Sequence, residues 1–385
     1  MTKLTHPDTG YRYISSAEAL TEFCQRARIA GSFAIDTEFV RRKTYFAKLG
    51  LVQLNVDGDT FIIDPLIDID LSALWQLIAA PDVATVLHAG GEDIELFFHQ
   101  SNGEKPRAVF DTQIAAGFIG MGSSLGYANL VEQLFDGVTL DKSQSRTDWL
   151  KRPLSEAQLA YAAADVSFLN TMYPWLAAQV AETHVADIVT EESQLQVNKR
   201  TQTIPKHLLY LFVGNAWQLN QKQLQVMKCL AAWRLGKAVS ENMPLGFIFK
   251  DGVLIELARK MPESKSDLHK IRDLAPMTRK YSGDEIIEQI NAALAEDASN
   301  WPQTLQRLDD MPNYKAAFNG IKKAAQGLAS MLAIDTALVA SRKQINDFLM
   351  YHWQFSADHR AELPRPDLQQ GWRWRALESE LKEYI

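Results

Sequence analysis

The chain has 385 residues, of which 46% are hydrophobic and 23% are charged. This length predicts two or three domains and excludes a single small module, and the composition excludes a disordered protein. The net charge of −7 is unevenly divided: residues 1–202 carry 16 basic and 26 acidic side chains, whereas residues 203–385 carry 24 and 21. Such asymmetry indicates an anion-facing surface or a metal-binding carboxylate cluster.

The cysteines and the N-terminus indicate the compartment. Cys24 and Cys229 lie far apart and form no C-x-x-C pair, so we expect no disulfide framework and a reducing environment. The first ten residues are polar, and no apolar run reaches the ~18 residues of a membrane span. These features predict a cytoplasmic protein. No P-loop or Rossmann glycine spacing is present, so we expect no nucleotide cofactor.

The first 200 residues have the pattern of an α/β domain. The runs SFAIDTEF, LGLVQLNV and TFIIDP predict a three-strand meander, with a turn at Asp57-Gly58-Asp59. A helix over 71–80, the strand ATVLHA, and a helix opened by Gly90-Gly91 follow. AVF at 108–110 predicts another strand with Asp111 as the next N-cap, and a long helix is predicted from Ser155 to about His184.

The rest of the chain is predicted to be helical. Residues 191–204 are polar and indicate a linker, or an extension of the preceding helix. Two all-α lobes are predicted at 205–291 and 297–378. Helix breaks are expected at Met243-Pro244, Met261-Pro262, Ser282-Gly283 and Trp301-Pro302.

Carboxylates at three places suggest chemistry. Asp36 and Glu38 occupy positions i and i+2 of a strand and therefore share a face, where a hard divalent cation would offset their repulsion. They could also simply end a strand at the surface. Asp93 lies in the first turn of a helix, a position that the helix dipole alone favours. Tyr161 and Asp165 are an i, i+4 pair on one helical face.

Together these motifs are more specific than any one of them. D-x-E on an early strand, a later Asp, and Y-x-x-x-D on a late helix resemble the DEDDy branch of the DEDD 3′–5′ exonucleases. The flanking segments FAIDTEFVRRKTYFAKLGLVQL, LHAGGEDIELF and LDKSQSRTDWLKRPLSEAQLAYAAADV resemble the ribonuclease D family over residues 12–185. PKHLLYLFVGNAWQLNQKQLQVMKCLAAWRLGKAVSENMPLGFIFKDGVLIELARKMP is similar to an HRDC domain, and LASMLAIDTALVASRKQINDFL to a second, weaker copy.

The resemblance implies a domain layout and an activity. Residues 1–200 would form an α/β, ribonuclease H-like exonuclease domain with a mixed sheet flanked by helices, followed by all-α HRDC domains at 205–291 and 297–378. The chain would be a monomeric 3′–5′ exoribonuclease that releases nucleoside 5′-monophosphates and trims tRNA precursors and other structured RNAs. A DNA exonuclease on the same scaffold and a catalytically silent nucleic-acid-binding protein are the alternatives.

The resemblance also implies roles for individual residues. Two divalent ions, Mg²⁺ or Mn²⁺, would be held by the four carboxylates Asp36, Glu38, Asp93 and Asp165. One would bind Asp36, Glu38 and Asp165; the other would share Asp36 and use Asp93 directly or through water. Tyr161 would orient the attacking water and could help to deprotonate it. Because a phenol titrates near pH 10, the metal would do most of the acidifying and Tyr161 mainly the aiming.

Substrate contacts are also expected. The candidates are Thr37, Phe39, Gln53, His88, Lys142, Ser143 and Arg146. Thr37 and Phe39 flank the metal ligands and would grip the terminal nucleotide, although Phe39 could be a core residue. Lys142, Ser143 and Arg146 would hold phosphates, unless their segment is a solvated loop. Gln53 and His88 could each be satisfied inside the fold.

A basic stretch at 259–280 is a further candidate for nucleic-acid binding. It contains seven Lys or Arg side chains and three acidic ones, a density that can track a nucleic-acid backbone without reading its sequence. A solvated helical face has the same composition.

Overall fold

The computed structural model describes residues 3–141 and 143–385. The first part of the chain forms a six-stranded mixed sheet in the order β1-β4-β3-β2-β5-β6. The strands are β1 (Tyr11–Tyr13), β2 (Ser32–Val40), β3 (Lys48–Val56), β4 (Asp59–Ile63), β5 (Ala84–Leu87) and β6 (Val109–Asp111). The predicted meander is confirmed, because β3 pairs antiparallel with both β2 and β4, and β5 and β6 run parallel to β2. Strand β1, only three residues long, was not predicted.

Within the described residues up to Thr201, seven helices accompany the sheet. They are α1 (Ala17–Ala30), α2 (Ser72–Ile78), α3 (Gly91–Gln100), α4 (Thr112–Phe118), α5 (Tyr127–Leu134), α6 (Glu156–Glu182) and α7 (Ala186–Thr201). Helices α1–α3 cover one face, where Phe23 and Phe97 join a core with Phe33. Helix α6 covers the other face and begins with a capping box between Ser155 and Gln158.

Helix α7 corrects the linker prediction. Residues 191–201 belong to α7, which is separated from α6 by residues 183–185. Their polarity reflects an interface: Glu192 accepts hydrogen bonds from Trp372 Nε1 at 2.7 Å and Arg373 Nη2 at 2.9 Å. The polar residues of this segment therefore belong to a helix that contacts a distant part of the chain, and they do not form an exposed linker.

The remaining helices form two lobes. The first helical lobe contains α8 (Gln221–Ser240), α9 (Leu245–Ile248), α10 (Asp251–Lys260) and α11 (Pro276–Ala295). The second helical lobe contains α12 (Tyr314–Leu332), α13 (Thr336–Val339), α14 (Arg342–Trp353), α15 (Ala357–Glu362) and α16 (Gly371–Leu381). Short 3₁₀ segments are Lys206–Phe212, Ala216–Gln218, Asp267–Lys270, Ala298–Asn300, Leu308–Asp310, Asp367–Gln369 and Lys382–Tyr384.

The predicted break at Ser282-Gly283 is wrong, because α11 runs through it without interruption. Both residues are buried, and a Cβ on Gly283 would lie 3.1 Å from the side chain of Leu268. The glycine therefore serves close packing rather than a turn. The breaks at Met243-Pro244, Met261-Pro262 and Trp301-Pro302 do fall between helices.

The two lobes and the sheet domain share apolar clusters. Tyr45, just beyond β2, packs against the core of the first helical lobe, and Phe355 of the second lobe belongs to that same core. Phe118 and Val189 of the sheet domain belong to the core of the second helical lobe. Each part is therefore held by both of the others.

Among the described helices, none is by itself long and apolar enough to cross a bilayer. The pair Tyr314–Leu332 and Thr336–Trp353 meets the length and composition criteria only when taken together across a 113° bend.

Glu192→Ala is expected to lower the free energy of unfolding by about 3 kcal/mol, because it leaves the Arg373 guanidinium buried without its counter-charge. Arg373 is 3% exposed. Urea denaturation followed by circular dichroism measures the loss. The control is Glu191→Ala, whose partner Arg375 has a side chain that is 61% exposed and for which we expect a much smaller loss. Equal losses from the two variants would contradict the prediction.

Candidate active site

Three carboxylates converge beyond the C-terminal end of β5. Asp36 and Glu38 point from the same face of β2 toward α6, which supplies Asp165. One carboxylate oxygen from each of the three lies within 4.8 Å of the others. The predicted i, i+2 pair is therefore completed by a residue about 130 positions later in the chain.

Asp93 joins this group from α3, on the other side of β2. The side chain is 9% exposed, and its Oδ1 accepts a hydrogen bond from the hydroxyl of Thr37. The charge of Asp93 raises the pKa of Asp36. Asp93 is thus close enough to act on Asp36 electrostatically, but it is not part of the group whose carboxylate oxygens lie within 4.8 Å of one another, so its role as a metal ligand stays a prediction.

The cluster is electrostatically strained in the absence of a cation. Burial, followed by repulsion from Asp93, Asp165 and Glu38, raises the pKa of Asp36 well above its ordinary value. Burial and the neighbouring carboxylates raise the pKa of Glu38 to about 9. Burial also raises the pKa of Asp165 to about 7 and that of Asp93 to about 6. No Lys or Arg within 3–141 or 143–385 forms an ion pair with any of the four.

Tyr161 lies one helical turn before Asp165. Burial, the surrounding carboxylates and a hydrogen bond with Asp165 all raise the pKa of the Tyr161 hydroxyl. Its ring packs against Trp149, with centroids 6.2 Å apart. The indole is held in turn by the 149–152 turn, where the Arg152 guanidinium donates to the Trp149 carbonyl and pairs with Asp64. The Tyr161 side chain is therefore held in place, and its hydroxyl is protonated.

A cavity of about 280 Å³ opens above these residues. It is lined by Asp36, His88, Tyr127, Ala128, Leu140, Asp141, Ser145, Tyr161, Asp165 and Leu169. Its wall is thus part aromatic and apolar, and its floor is acidic. Such a combination suits a nucleotide whose phosphate is brought to cations.

The three predicted substrate-contact residues of β2 and β3 differ in their burial and in their neighbours. Thr37 is buried and its hydroxyl is committed to Asp93. Phe39 is half-buried and packs against the core under α3, while its outer side lines a shallow groove with Arg41 and His99. Gln53 is 0% exposed and lies opposite Asp36 in the β2–β3 register. Its amide atoms are buried and have no hydrogen-bond partner within the described chain, so a contact between Gln53 and the substrate stays a prediction.

Of the remaining candidates that the structure describes, only His88 lines the cavity. Its Nδ1 lies 2.9 Å from the Thr112 hydroxyl and its Nε2 is buried. Burial lowers its pKa, against the opposing effects of Asp111 and of a hydrogen bond with the Leu125 backbone. Ser143 is exposed, and its hydroxyl donates to Asp141 at 2.7 Å. Arg146 is exposed at the rim. Lys142 lies outside the described residues.

Sequence reasoning missed several cavity residues. Tyr127, whose hydroxyl donates to the Ala164 carbonyl at 3.0 Å, packs edge-on against His88 with ring centroids 5.4 Å apart. Asp141 and Ser145 come from the irregular segment before α6. Loop residues follow no periodic pattern from which their position could be predicted. Gly126, which directly precedes α5, is the local sequence signal for the start of that helix.

The basic stretch at 259–280 is largely self-compensated. Lys260 pairs with Glu256, Lys265 with Asp284, and Lys270 with Asp267. Arg259 and Arg279 donate to Gln218 and to the Leu274 carbonyl. This pairing favours a solvated face over a phosphate track.

Comparison with known proteins agrees with this geometry. A 3′–5′ exonuclease family model matches residues 11–181, an HRDC model residues 223–290, and a model of the ribonuclease D C-terminal HRDC domain residues 312–381. Ribonuclease D of Shewanella sp. strain ANA-3 is 40% identical over 94% of this chain and 91% of its own length. The Escherichia coli K12 ribonuclease D is 38% identical over 97% of this chain and 99% of its own.

The chain belongs to the ribonuclease D family. The crystal structure of Escherichia coli RNase D, described as an exoribonuclease involved in structured RNA processing, superposes with a TM-score of 0.90 at 36% identity and covers 97% of this chain and 98% of the other. This ribonuclease D family member is accordingly a 3′–5′ exoribonuclease, and the expected exonuclease fold with helical HRDC domains is confirmed. The DNA-exonuclease and silent-protein alternatives are not favoured.

The site residues fit a divalent metal. The donor set is all carboxylate oxygen, the three oxygens are close enough to share an ion, and the mutual repulsion has no described counter-charge. Together with the exonuclease family match, this cluster indicates that the ribonuclease D family member uses divalent metal.

Proposed function

We propose that this chain trims the 3′ ends of structured RNAs, tRNA precursors among them, as a cytoplasmic monomer that releases nucleoside 5′-monophosphates with the help of two Mg²⁺ or Mn²⁺ ions. The observation that carries the proposal is the close group of Asp36, Glu38 and Asp165 at the floor of a nucleotide-sized cavity. Tyr161 reaches into the same cavity.

The carboxylates have distinct tasks in this proposal. Asp36, Glu38 and Asp165 would hold one ion, and Asp36 with Asp93 would hold the other. When bound, the ions neutralise the phosphodiester oxygens and acidify the attacking water. Thr37 serves this arrangement indirectly, because its hydroxyl fixes the rotamer of Asp93.

Tyr161 would aim the water rather than deprotonate it. Its raised pKa keeps the phenol protonated at neutral pH. The hydroxyl can therefore donate one hydrogen bond and accept another, which fixes a water near the scissile phosphate. The packing on Trp149 keeps the hydroxyl in place.

The cavity wall would take the 3′-terminal nucleotide. Tyr127 and His88 present rings that could pack against the sugar or base. Phe39 lies on the far side of β2 and would contact only a nucleotide that reaches around the strand edge. Arg146 and Ser143 would meet phosphates at the rim.

Digestion of end-labelled RNA tests the proposal. The same tRNA precursor, labelled at its 5′ or its 3′ end, is incubated with Mg²⁺ or with chelator, beside a matched DNA oligonucleotide. We expect immediate release of labelled mononucleotide from the 3′ label, a descending ladder from the 5′ label, and no reaction in chelator. Internal cuts, or faster hydrolysis of DNA, would contradict it.

A further inference from the structure

The loop that joins β2 to β3, residues 41–47, follows the C-terminal end of β2 and so lies at the same end of the sheet as the carboxylates. Arg42 is four residues beyond Glu38, so their Cα atoms are at most roughly 14 Å apart. The Arg42 guanidinium donates to the backbone carbonyl of Arg146 at 3.4 Å, and the neighbouring Ser145 lines the cavity. The β2–β3 loop therefore places a guanidinium at the cavity rim.

Two cations of this loop are uncompensated. Arg41 pairs with Glu95 of α3, but Arg42 and Lys43 are exposed and form no ion pair with any residue of 3–141 or 143–385. They stand in the half of the chain that carries 26 acidic and only 16 basic side chains. Adjacent free cations beside a site for phosphodiesters are suited to bind backbone phosphates.

The loop is fastened by the first helical lobe. The backbone N–H of Phe46 donates to Asn242 Oδ1 at 3.0 Å, and Tyr45 packs against the core of that lobe. The Arg41 Nε–H also donates to the Tyr45 carbonyl at 3.2 Å and draws the loop together. A residue nearly 200 positions away in sequence thus fixes the loop that carries the two cations.

We propose that Arg42 and Lys43 bind phosphates of the RNA strand on the 5′ side of the bond that is cut, and that Asn242 is the positioning residue that holds their loop. The inference rests on the proposed exonuclease function. It gives the first helical lobe a specific task, which is to shape the substrate-binding rim of the catalytic domain.

The double variant Arg42→Ala/Lys43→Ala tests the phosphate contacts. Steady-state hydrolysis is measured on single-stranded RNA oligomers of increasing length over a range of salt concentrations. We expect KM to rise about tenfold on the longer oligomers with kcat changed less than about twofold. The slope of log(kcat/KM) against log[salt] should flatten by about 1.4, since each single-strand phosphate contact contributes ~0.7.

The control is Lys105→Ala/Arg107→Ala, which removes two exposed cations near the start of β6, at the opposite end of the sheet. It should leave KM and the salt slope at wild-type values. The charge-preserving variant Arg42→Lys/Lys43→Arg should keep the salt slope. A wild-type KM and slope in the alanine variant overturns the inference, as does an equal loss on dinucleotides, which are too short to reach the rim.

Asn242 is tested by a pair of substitutions. Asn242 has a positive φ of 48°, so Asn242→Gly removes the acceptor without adding backbone strain, whereas Asn242→Asp keeps an acceptor oxygen. We expect Asn242→Gly to raise KM by a few-fold at nearly constant kcat, and Asn242→Asp to stay within about twofold of wild type. Equal KM values in both variants overturn the positioning role.

The outcomes separate the two proposals. If the wild-type chain fails to shorten RNA from its 3′ end, the proposed function fails. If it does so while the Arg42 and Lys43 variants match it, only the present inference fails.

Discussion

Asp36→Asn is expected to abolish RNA hydrolysis while making the metal-free protein more stable. Asp36 is buried, and all three of the other carboxylates, Asp93, Asp165 and Glu38, raise its pKa. Loss of a shared metal ligand removes several kcal/mol of transition-state stabilisation, so kcat should fall by ~10³-fold or more. Relief of the repulsion should add on the order of 1 kcal/mol to the free energy of unfolding in chelator.

Activity and thermal denaturation of the same sample measure both effects. Asp82→Asn, which alters an exposed carboxylate of the same domain, is the control and should change neither quantity. Retained turnover in Asp36→Asn, or a less stable metal-free protein, would refute this account of the cluster.

The pH dependence of stability follows with a definite sign. Glu38 and Asp165 have folded-state pKa values of about 9 and about 7, both above their ordinary values. Their contribution to stability is therefore complete below about pH 4, where the unfolded chain is protonated as well. It is lost as the pH rises from there to about 7 for Asp165 and to about 9 for Glu38. In chelator the melting temperature should fall over this range, and the stabilisation by Mg²⁺ should grow. A Mg²⁺ effect that is constant with pH would argue against metal binding at these carboxylates.

Tyr161→Phe is expected to lower kcat by ~10²-fold with KM changed only a few-fold. The phenyl ring keeps its contact with Trp149, so the substitution removes the hydroxyl and little else. Removal of one positioned hydrogen-bonding group at a reaction centre has an effect of this size. The metal-binding carboxylates remain, and metal affinity should be unchanged.

Tyr173→Phe provides the matched control for this prediction. Tyr173 is on the same helix, but its ring packs against Phe110 outside the catalytic cavity. Single-turnover rates for both variants distinguish loss of chemistry from loss of binding. A Tyr161→Phe enzyme with wild-type kcat would exclude the aiming role.

Short-range geometry predicted the pairings within the candidate site, whereas their assembly into one metal site came from the resemblance to the DEDDy exonucleases. Strand alternation places Asp36 and Glu38 on one face, and helix periodicity places Tyr161 one turn from Asp165. The meander with its Asp57-Gly58 turn was also predictable, because both turn residues adopt a positive φ that aspartate and glycine tolerate.

What escaped prediction depends on tertiary contacts. Gln53 was a candidate for a substrate contact because its side chain is polar. Cross-strand pairing and the helix above the sheet bury it completely. A helix break was predicted at Gly283, but this glycine lies within a continuous helix and packs against Leu268. The tie between Phe46 and Asn242 joins two segments that no local pattern connects.

Calorimetric titration with Mn²⁺ in the presence of a nucleoside 5′-monophosphate tests the central claim most directly. The account predicts that the wild-type chain binds two ions, that Asp36→Asn loses this binding, and that Tyr161→Phe keeps it. Mn²⁺ binding that is the same in the wild-type and Asp36→Asn chains would contradict the claim that these carboxylates form the metal site.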